Sequence, residues 1–478
     1  MSMGLGGIVL VLPGSMPFRM VVGSGILDQL CSKSKHPVVV ICPDDAYRKK
    51  LPASVEWRDL HRPHSAADQS VLTRVFRALT LRVESLLNIT FPGLAYRFNE
   101  IAGFQAHQFK KGMSVNRQSR EELAGNFVRK SHGFPFAASQ FLYRLYRAIY
   151  YRRAYIPDRF IKGFFKEAPI DLIVFWHAQN EVYRDFVHCA RSQSIPMLAA
   201  IGSWDRATTK GPLMPGVTRV LAINQVMRSD LIEYHGIPLN SISVVGWPQM
   251  DSYAARGTTK EQRDRKIGFL SKYGFDSSAS LVVYAGNAER LGRHEPSLVS
   301  YLAQKISTGS YGENICFFLR PHPQDLKFET RFSSELKNTN VHSEDASLTS
   351  LSQLKELFLC ADIVISTQGS ISLDAVALDC CVINVAFDGD LNPAYDESVQ
   401  RSYEMDHYQP VLNSGGIAIV RNYPELDQAL SAYLGDRTLH TEGRKKLRET
   451  MLDPFDGKSA ERTVDLLLDE LVATVKKV

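Results

Sequence analysis

Two series of short apolar segments alternating with helical patterns constrain the fold more than any other feature of the sequence. The first series opens with strand patterns at Ile8–Leu12 and Pro37–Cys42, and it resumes at Ile170 after a long interruption. The second series starts near Ser280 and contains LVVYAGN, ICFFLRPHP, DIVIST and CVINVAF. Continuous β-branched runs of this kind are typical of parallel strands covered by helices on both faces. The sequence therefore predicts an α/β protein of two doubly wound, Rossmann-like domains with a cleft between them.

The length of the chain also favours two domains, because 478 residues are too many for one hydrophobic core. We place the N-terminal domain at 1–254 and the C-terminal domain at 255–478, with the charge-rich segment Ser252–Lys266 as the linker. A long amphipathic helix, predicted over Lys458–Ala473, is assigned to the C-terminal domain.

Residues from about 60 to 167 interrupt the alternation and form a predicted helical, basic insert in the N-terminal domain. From Arg62 to Glu167 there are 18 Lys and Arg against 7 Asp and Glu, a balance of +11 in a chain whose net charge is +5. Within it, Phe134–Phe165 has 11 aromatic residues interleaved with arginines. Such a stretch favours peripheral contact with an anionic membrane surface. A helix pair packed on its own domain remains the alternative. Because no nucleic-acid motif is present, we predict no nucleic-acid partner.

The N-terminus and the cysteines bear on the compartment. GGIVLVLPG is apolar for only a few residues and lacks a charged region before it, so we interpret it as a first strand and not a signal peptide. The seven cysteines form no CxxC pair and lie mostly in apolar runs, which is typical of buried thiols in a reducing compartment. We predict a cytoplasmic protein, and membrane contact through 134–165 would place it at the inner face.

The stretch Asp362–Ala375, DIVISTQGSISLDA, carries the most specific local pattern. A β-branched strand is followed by a polar turn with one glycine, Ser366–Ser370, and then by the start of a helix. Free N–H groups and the dipole of a helix N-terminus favour phosphate binding. Asp374, four residues into the helix, is a candidate for hydrogen bonding to a ribose hydroxyl. An ordinary strand–helix corner is the alternative interpretation.

Several phrases together resemble the GT-B superfamily, and in particular the branch that holds CDP-glycerol glycerophosphotransferases, bacterial surface-polysaccharide transferases and UDP-GlcNAc 2-epimerases. The phrases are IPLNSISVVGWPQMD, FFLRPHPQD, DIVISTQGSISLDAVALDC and HYQPVLNSGGIAIV, with weaker support from SWDRATTKG and DGKSAERTVDLLLDEL. They span about Asp171 to Leu471 and leave the basic insert unmatched. The resemblance implies a nucleotide-activated donor bound by the C-terminal domain and an acceptor bound by the N-terminal domain.

Candidate donor-binding residues follow the strands of the second series. Arg320 offers a planar fork of donors to a diphosphate, and His322 offers one directed donor to a phosphate oxygen. The RPHP phrase that contains them is similar to the element that cytidine-nucleotide transferases use on the donor phosphate. The remaining candidates are Gly286, Asn287, Ser366, Thr367, Gln368, Gly369, Ser370, Asp374 and His407. Loop-anchoring roles are the alternative for both histidines.

On the acceptor side, transfer to a hydroxyl needs a general base. His177 and Glu181 follow the strand pattern DLIVFW, and Asp205 follows MLAAIG, so all three are candidates at the edge of one sheet. Lys210 is a candidate for holding an acceptor phosphate. A turn-capping role for Asp205 and a backbone hydrogen bond for His177 stay open.

Asp388 and Asp390 form a DxD pattern, which binds metal in a different transferase fold. Here the pattern follows a strand of the second series, where a solvated turn is expected. Since the GT-B resemblance implies chemistry without a metal, we predict no metal and no cofactor beyond the nucleotide-activated sugar that serves as donor substrate.

The sequence favours a glycosyltransferase that moves a sugar from a nucleotide-activated donor to a glycan or lipid-linked acceptor in surface polysaccharide biosynthesis. A CDP-glycerol-type polyol-phosphate transferase is a close alternative, and a GT-B scaffold without turnover also stays open. A UDP-GlcNAc 2-epimerase is disfavoured. Its family places acids where this chain has His177-Ala178-Gln179 and Ile201-Gly202-Ser203.

Overall fold

A computed structural model describes the protein over residues 6–42, 45–59, 159–167, 169–177, 183–209, 213, 216–289, 291–338, 340–344, 350–393 and 398–475. The chain divides into two compact units. The first unit comprises Met1–Gln249 and Lys458–Val478, and the second comprises Met250–Gly457. Most of the predicted basic insert, including 134–158, lies outside the described residues.

The described strands of the first unit form a seven-stranded parallel sheet in the order β3-β2-β1-β4-β5-β6-β7. The strands are β1 Gly7–Val11, β2 Val38–Cys42, β3 Glu56–Asp59, β4 Ile170–Trp176, β5 Met197–Ala200, β6 Arg219–Ala222 and β7 Ile242–Val244. Every residue of β1, β2 and β5 is buried. Burial on both faces explains why these strands read as unbroken apolar runs.

The second unit contains a six-stranded parallel sheet in the order β10-β9-β8-β11-β12-β13. Its strands are β8 Ser280–Ala285, β9 Ile315–Arg320, β10 Val341–Ser343, β11 Ile363–Ser366, β12 Cys381–Val385 and β13 Ala418–Val420. Tyr284, Phe317 and Ile365 belong to its hydrophobic core. The chain adds β9 and β10 on one side of β8, and then crosses to β11 on the other side and continues to β13. In such a fold, ligands bind at the carboxyl ends of the strands where the order reverses, here between β8 and β11.

Helices cover both sheets. In the first unit they are α1 Ser15–Gly23, α2 Ile26–Lys33, α3 Asp45–Arg48, α4 Arg159–Glu167, α5 Tyr183–Ser192, α6 Arg206–Thr209 and α7 Gln225–His235. In the second they are α8 Asp251–Ala254, α9 Thr259–Lys272, α10 Glu295–Ser307, α11 Phe328–Arg331, α12 Leu351–Cys360, α13 Ser370–Ala377, α14 Gln400–Tyr403, α15 Gln409–Ser414, α16 Tyr423–Gly435 and α17 Thr441–Met451. The last helix is α18 Ser459–Val475. Short 3-10 turns occupy Leu239–Ser241, Pro248–Met250, Glu335–Lys337 and Asp406–Tyr408.

The segment predicted as a linker is helical in large part. Thr258 begins α9 with a capping box, in which its side chain accepts the N–H of Glu261 and Glu261 reaches back to the Thr258 N–H. This reciprocal cap satisfies N–H groups that an open helix end would leave unpaired. The second unit begins at Met250, and the predicted boundary was at 254/255.

The terminal helix α18 belongs to the first unit, which corrects its predicted assignment to the C-terminal domain. Val464, Leu467 and Leu471 are buried in the same core as β1 and β4. Arg462 Nε donates to the carbonyl of Val245 at 2.9 Å. The predicted amphipathic pattern was therefore right about a buried face, but that face lies against the first sheet.

Candidate functional site

A hydrogen bond joins the two loops that meet at the reversal point of the second sheet. Asn287 follows β8, Thr367 follows β11, and Asn287 Nδ2 donates to Thr367 Oγ1 at 2.6 Å. Gly286 lies where β8 and β9 end together, and its N–H donates to the Arg320 carbonyl at 2.9 Å. A Cβ at Gly286 would lie 3.3 Å from that carbonyl, so the close approach favours glycine. The structure thus brings together Gly286, Asn287 and the predicted phosphate turn.

The predicted phosphate turn ends at the N-terminus of α13. Gly369 is the N-cap residue, and no side chain caps this end of the helix. Gln368 and Gly369 are half-buried, whereas Ser370 is exposed. The first N–H groups of α13 are therefore presented without a side-chain partner, an arrangement suited to an anionic ligand.

Ser366 differs from the other turn residues because its hydroxyl lies in the interior. Asn384 Nδ2 donates to Ser366 Oγ at 3.0 Å and to Ser372 Oγ at 2.9 Å. Tyr408 donates to Asn384 Oδ1 from the other side. Ser366 is 1% exposed, so its hydroxyl supports the turn from the interior of the protein. Asn384 had no motif to identify it in the sequence, where it is one residue of an apolar strand.

Arg320 is a buried cation at the end of β9. Within the described residues, its hydrogen bonds to the carbonyls of Pro321 and Ser350 are long at 3.4 and 3.5 Å, and its Nε has no partner there. Desolvation lowers the pKa of Arg320, while the charges of Glu344 and Asp374 act in the opposite direction. A buried guanidinium with an unpaired N–H is typical of a site that receives a polar ligand or water.

His322 lies two residues further on and is half-buried. Its Nδ1 accepts the N–H of Gln324 at 3.1 Å. A neutral ring in this orientation carries its proton on Nε2. The turn thus fixes the tautomer of the neutral ring, with the proton on Nε2.

Asp374 is the fifth of the eight residues of α13 and is 9% exposed. Burial raises the pKa of Asp374 to about 7, and the hydroxyl of Tyr253 and the charge of Arg320 oppose that rise. Tyr253 is 1% exposed, and its hydroxyl makes no hydrogen bond of ordinary geometry in the described part of the chain. Sequence reasoning missed Tyr253, because it lies in a segment assigned to the linker.

His407 is buried in the 3-10 turn Asp406–Tyr408. Its ring lies edge-on to Tyr408, with ring centroids 6.5 Å apart. Because Tyr408 donates to Asn384, His407 lies next to the network that supports the turn after β11. Its role as a donor-binding residue stays a prediction.

In the first unit, two of the four acceptor-side candidates, His177 and Asp205, lie after the adjacent strands β4 and β5. His177 Nδ1 accepts the N–H of Gly202 at 3.2 Å, and Ser203 Oγ donates to Asp205 Oδ1. The charges of Asp205 and Arg206 both affect the His177 ring. Glu181 and Lys210 lie outside the described residues.

The surroundings of His177 make it a poor proton acceptor. It is 2% exposed, and burial together with the charge of Arg206 lowers the pKa of His177 to about 3, while Asp205 acts in the opposite direction. Since Nδ1 accepts a backbone N–H, the proton sits on Nε2, which has no partner within the described residues. This geometry suits a hydrogen-bond donor, and it leaves the half-buried Asp205 as the better candidate for a base.

The DxD residues hold a loop in place. Asp388 accepts the N–H of Val399 at 2.8 Å and the hydroxyl of Ser398, and Asp390 accepts the hydroxyl of Tyr423 at 2.9 Å. Within the described ranges, no group of three or more His, Cys, Asp and Glu residues is arranged to hold a metal ion.

Comparison with protein families gives a match over residues 212–469 to the family described as CDP-glycerol:poly(glycerophosphate) glycerophosphotransferase. The match covers more than half of the chain. The chain belongs to this family. It is therefore an enzyme of the transferase class, as the glycosyltransferase-type prediction stated. Comparison with curated proteins gave no match.

Several solved structures have a fold similar to that of this chain. A variant of the wall teichoic acid polymerase TagF soaked with CDPG aligns with a TM-score of 0.50 at 12% identity, covering 98% of this chain and 89% of that one. MnaA of S. aureus, in a co-structure with UDP, aligns with a TM-score of 0.51 at 9% identity, covering 96% and 95%. A putative UDP-N-acetylglucosamine 2-epimerase from Listeria monocytogenes aligns with a TM-score of 0.52 at 10% identity, covering 98% and 96%.

These likenesses confirm the predicted GT-B fold of two Rossmann-like domains. The family match confirms the predicted resemblance to CDP-glycerol glycerophosphotransferases. Among the helices of the described residues, none combines the length and apolar character needed to cross a bilayer. The predicted membrane contact through 134–165 lies mostly outside the described residues, which include only its end from Arg159.

Proposed function

We propose that this family member transfers a group from a cytidine-nucleotide donor to a hydroxyl of a surface-polymer acceptor. The observation that carries the proposal is the Asn287–Thr367 hydrogen bond, which ties together the two loops at the reversal point of the second sheet. Doubly wound domains bind nucleotides at this point, and here it lies beside a helix N-terminus without a side-chain cap.

The donor nucleotide would use three kinds of group in the second unit. The backbone N–H groups at the start of α13 and the imidazole of His322 suit the phosphates, and Arg320 adds a fixed positive charge. Asp374 suits a ribose hydroxyl. Donors held rigidly around the leaving phosphate stabilise the negative charge that develops as the nucleotide departs.

In the first unit, Asp205 would take the proton from the attacking hydroxyl, and His177 would donate a hydrogen bond to an oxygen of the acceptor. The proposal includes no metal ion and no cofactor. Location at the inner face of the cytoplasmic membrane follows only if the basic insert binds lipid.

Two candidates for the transferred group remain, a polyol phosphate and a sugar, and the two reactions break different bonds of the donor. In polyol-phosphate transfer, the acceptor hydroxyl attacks the distal phosphorus, the phosphoanhydride bond breaks and CMP leaves. In sugar transfer, the hydroxyl attacks the anomeric carbon and a nucleoside diphosphate leaves. Family membership favours polyol-phosphate transfer from a CDP-glycerol-type donor over the sugar transfer that the sequence patterns favoured. The co-structure of MnaA with UDP supports sugar transfer as the second candidate.

Nucleotide selectivity is tested by thermal shift with CMP, CDP, UDP, GDP and ADP, because a ligand that binds only the folded protein must raise the melting temperature. We expect the largest shift with a cytidine nucleotide, and equal or absent shifts with all five would contradict the proposal. The released nucleotide then identifies the reaction with each donor in the presence of EDTA. With donors that carry a nucleoside diphosphate, release of CMP indicates polyol-phosphate transfer, and release of the nucleoside diphosphate indicates sugar transfer.

An epimerase gains no support from the site. The residue after β4 is a histidine whose pKa is lowered to about 3, and the residues after β5 are Ile201 and Gly202. Neither position supplies the acid that elimination and proton abstraction need.

A further inference from the structure

Three buried charged residues connect the loops of the candidate donor site on the interior side of these loops. Glu295 begins α10 and is 0% exposed, Asp325 follows the RPHP turn and is 5% exposed, and Arg331 ends α11 with its side chain 10% exposed. None of them was predicted as a site residue. Charged side chains are rarely buried unless they are paired, so their position needs an explanation.

Arg331 is the centre of this cluster. Its Nη2 donates to Glu295 Oε2 at 3.0 Å and to the Gly292 carbonyl at 2.6 Å. Its Nη1 donates to the Asn287 carbonyl at 3.3 Å and pairs with Asp325. One guanidinium therefore holds both the loop after β8 and the loop after β9.

Glu295 completes the attachment of Asn287. Both carboxylate oxygens of Glu295 accept the N–H of Asn287, at 2.9 and 3.0 Å. Gly292 allows the loop to close over the pair, because a Cβ there would lie 2.2 Å from Glu295 Oε2. The backbone of Asn287 is thus fixed on both sides, by Glu295 at its N–H and by Arg331 at its carbonyl.

The cluster continues into residues that the proposed function uses. The N–H of Asp325 donates to the His322 carbonyl at 2.9 Å, which closes the RPHP turn. The side chain of Asn287 donates to Thr367 Oγ1 at 2.6 Å, which reaches the turn before α13. A continuous series of contacts therefore runs from His322 through Asp325, Arg331, Glu295 and Asn287 to Thr367.

We propose that Arg331, with Glu295 and Asp325, is a positioning residue that sets the spacing between His322, Asn287 and the turn before α13, and so determines the affinity for the donor phosphates. The inference rests on the proposed function for the identity of the ligand. The linkage of the three loops is independent of it.

A purely stabilising role is separated from positioning by a matched buried arginine. Arg444 is 2% exposed, its Nε contacts Asp379 Oδ1 at 3.2 Å, and it also bonds to backbone carbonyls. Asp379 precedes β12, so this pair lies at the amino end of the sheet, away from the candidate site. An exposed pair, Lys327 with Glu289 at 2.9 Å, spans the same two loops as Arg331 and provides a surface control.

The test compares Arg331→Met and Arg331→Lys with Arg444→Met and Lys327→Met, at a temperature where calorimetry shows each protein to be folded. We expect Arg331→Met to weaken CDP binding at least tenfold and Arg331→Lys to recover part of it, since lysine keeps the charge without the planar fork. Arg444→Met should lower the melting temperature yet leave CDP affinity within twofold. Lys327→Met should change neither.

Hydrogen exchange supplies a readout that needs no ligand. Arg331→Met should speed exchange in 286–292, 321–327 and 366–370 together, and Arg444→Met should not. Glu295→Gln should reproduce the pattern if Arg331→Met does not fold. Unchanged exchange in these three loops overturns the inference whatever the nucleotide affinity. Faster exchange with unchanged CDP affinity also overturns the inference. Absence of CDP binding by the wild type contradicts the proposed function instead, and the exchange result then decides whether the three loops are linked.

Discussion

At Asp374, burial opposes ionisation while neighbouring groups favour it. The folded-state pKa of about 7 lies above the ordinary value of 3.8, with Tyr253 and Arg320 as the groups that act on the carboxylate. A raised pKa means that the folded protein binds this proton more tightly than the unfolded chain does. The contribution of Asp374 to stability is therefore fully present below about pH 4, and it is lost as the pH rises towards 7.

Asp374→Asn should accordingly affect stability and binding in opposite directions. Between pH 5 and pH 8, we expect the free energy of unfolding of the variant to rise relative to wild type by on the order of 2 kcal/mol. At pH 8, where the wild-type carboxylate is ionised, nucleotide affinity should fall at least tenfold, because the amide lacks the negative charge that favours a ribose hydroxyl. Denaturant titrations at both pH values and calorimetric binding provide the measurements. A variant that binds like wild type would place the ribose elsewhere.

On the acceptor side, the geometry assigns different roles to the two candidates: Asp205 is the candidate general base, and His177 is the candidate hydrogen-bond donor. Asp205→Asn should lower kcat by about a hundredfold or more. His177→Asn should keep kcat within about tenfold and leave the pH–rate profile unchanged, since asparagine tolerates the positive φ of 62° and retains an acceptor for Gly202 and a donor. His177→Ala is the control that removes both functions. A shifted pH–rate profile in His177→Asn would identify His177 as the titrating base.

At the scale of elements, the strand–turn–helix unit Asp362–Ala375 could be predicted closely because its signals are local. The β-branched run, the polar turn and the helical pattern lie within fifteen residues, and the structure has β11 and α13 where they were expected. The cluster around Arg331 could not be predicted in this way. Its partners are separated by up to 44 residues, and buried charge pairs leave no periodic pattern.

The terminal helix α18 shows a second limit of sequence patterns. Its apolar spacing indicates a buried face, but spacing does not say which of two sheets covers that face. Leu467→Ala should destabilise the protein by about 2–4 kcal/mol, the usual cost of a large-to-small change in a core. Because Leu467 is buried against the first sheet, hydrogen exchange should rise in β1 and β4 and not in β8 or β11. Faster exchange in the second sheet would reject this assignment.

The basic insert is an element whose role is still a prediction. If 134–165 binds an anionic surface, replacing its arginines by glutamine should reduce sedimentation with phosphatidylserine-containing vesicles and leave sedimentation with neutral vesicles unchanged. The attraction is electrostatic, so raising the salt concentration should weaken it. Equal sedimentation of wild type and variant at low salt would remove the membrane interpretation.

For the whole molecule, the order of strands in each sheet explains why the polar residues gather where they do. Parallel strands have their carboxyl ends at the same edge, and the chain reverses its course between β8 and β11. The parallel arrangement follows from the alternation visible in the sequence, which is why candidate donor-side loops could be placed at the ends of these strands. The reversal of strand order does not follow from alternation and comes from the structure. The transferred group depends on the shape of the site and on buried contacts, which alternation does not determine.

Calorimetric titration of CDP into the wild-type protein and into Asn287→Ala tests the central claim most directly. The exposed Asn413, replaced by alanine, serves as the control. We predict measurable binding by wild type and Asn413→Ala, with affinity at least tenfold weaker in Asn287→Ala, because the loops after β8 and β11 lose the hydrogen bond between them. Absence of CDP binding by the wild type, or equal affinity in all three proteins, would contradict a donor site at this edge of the second sheet.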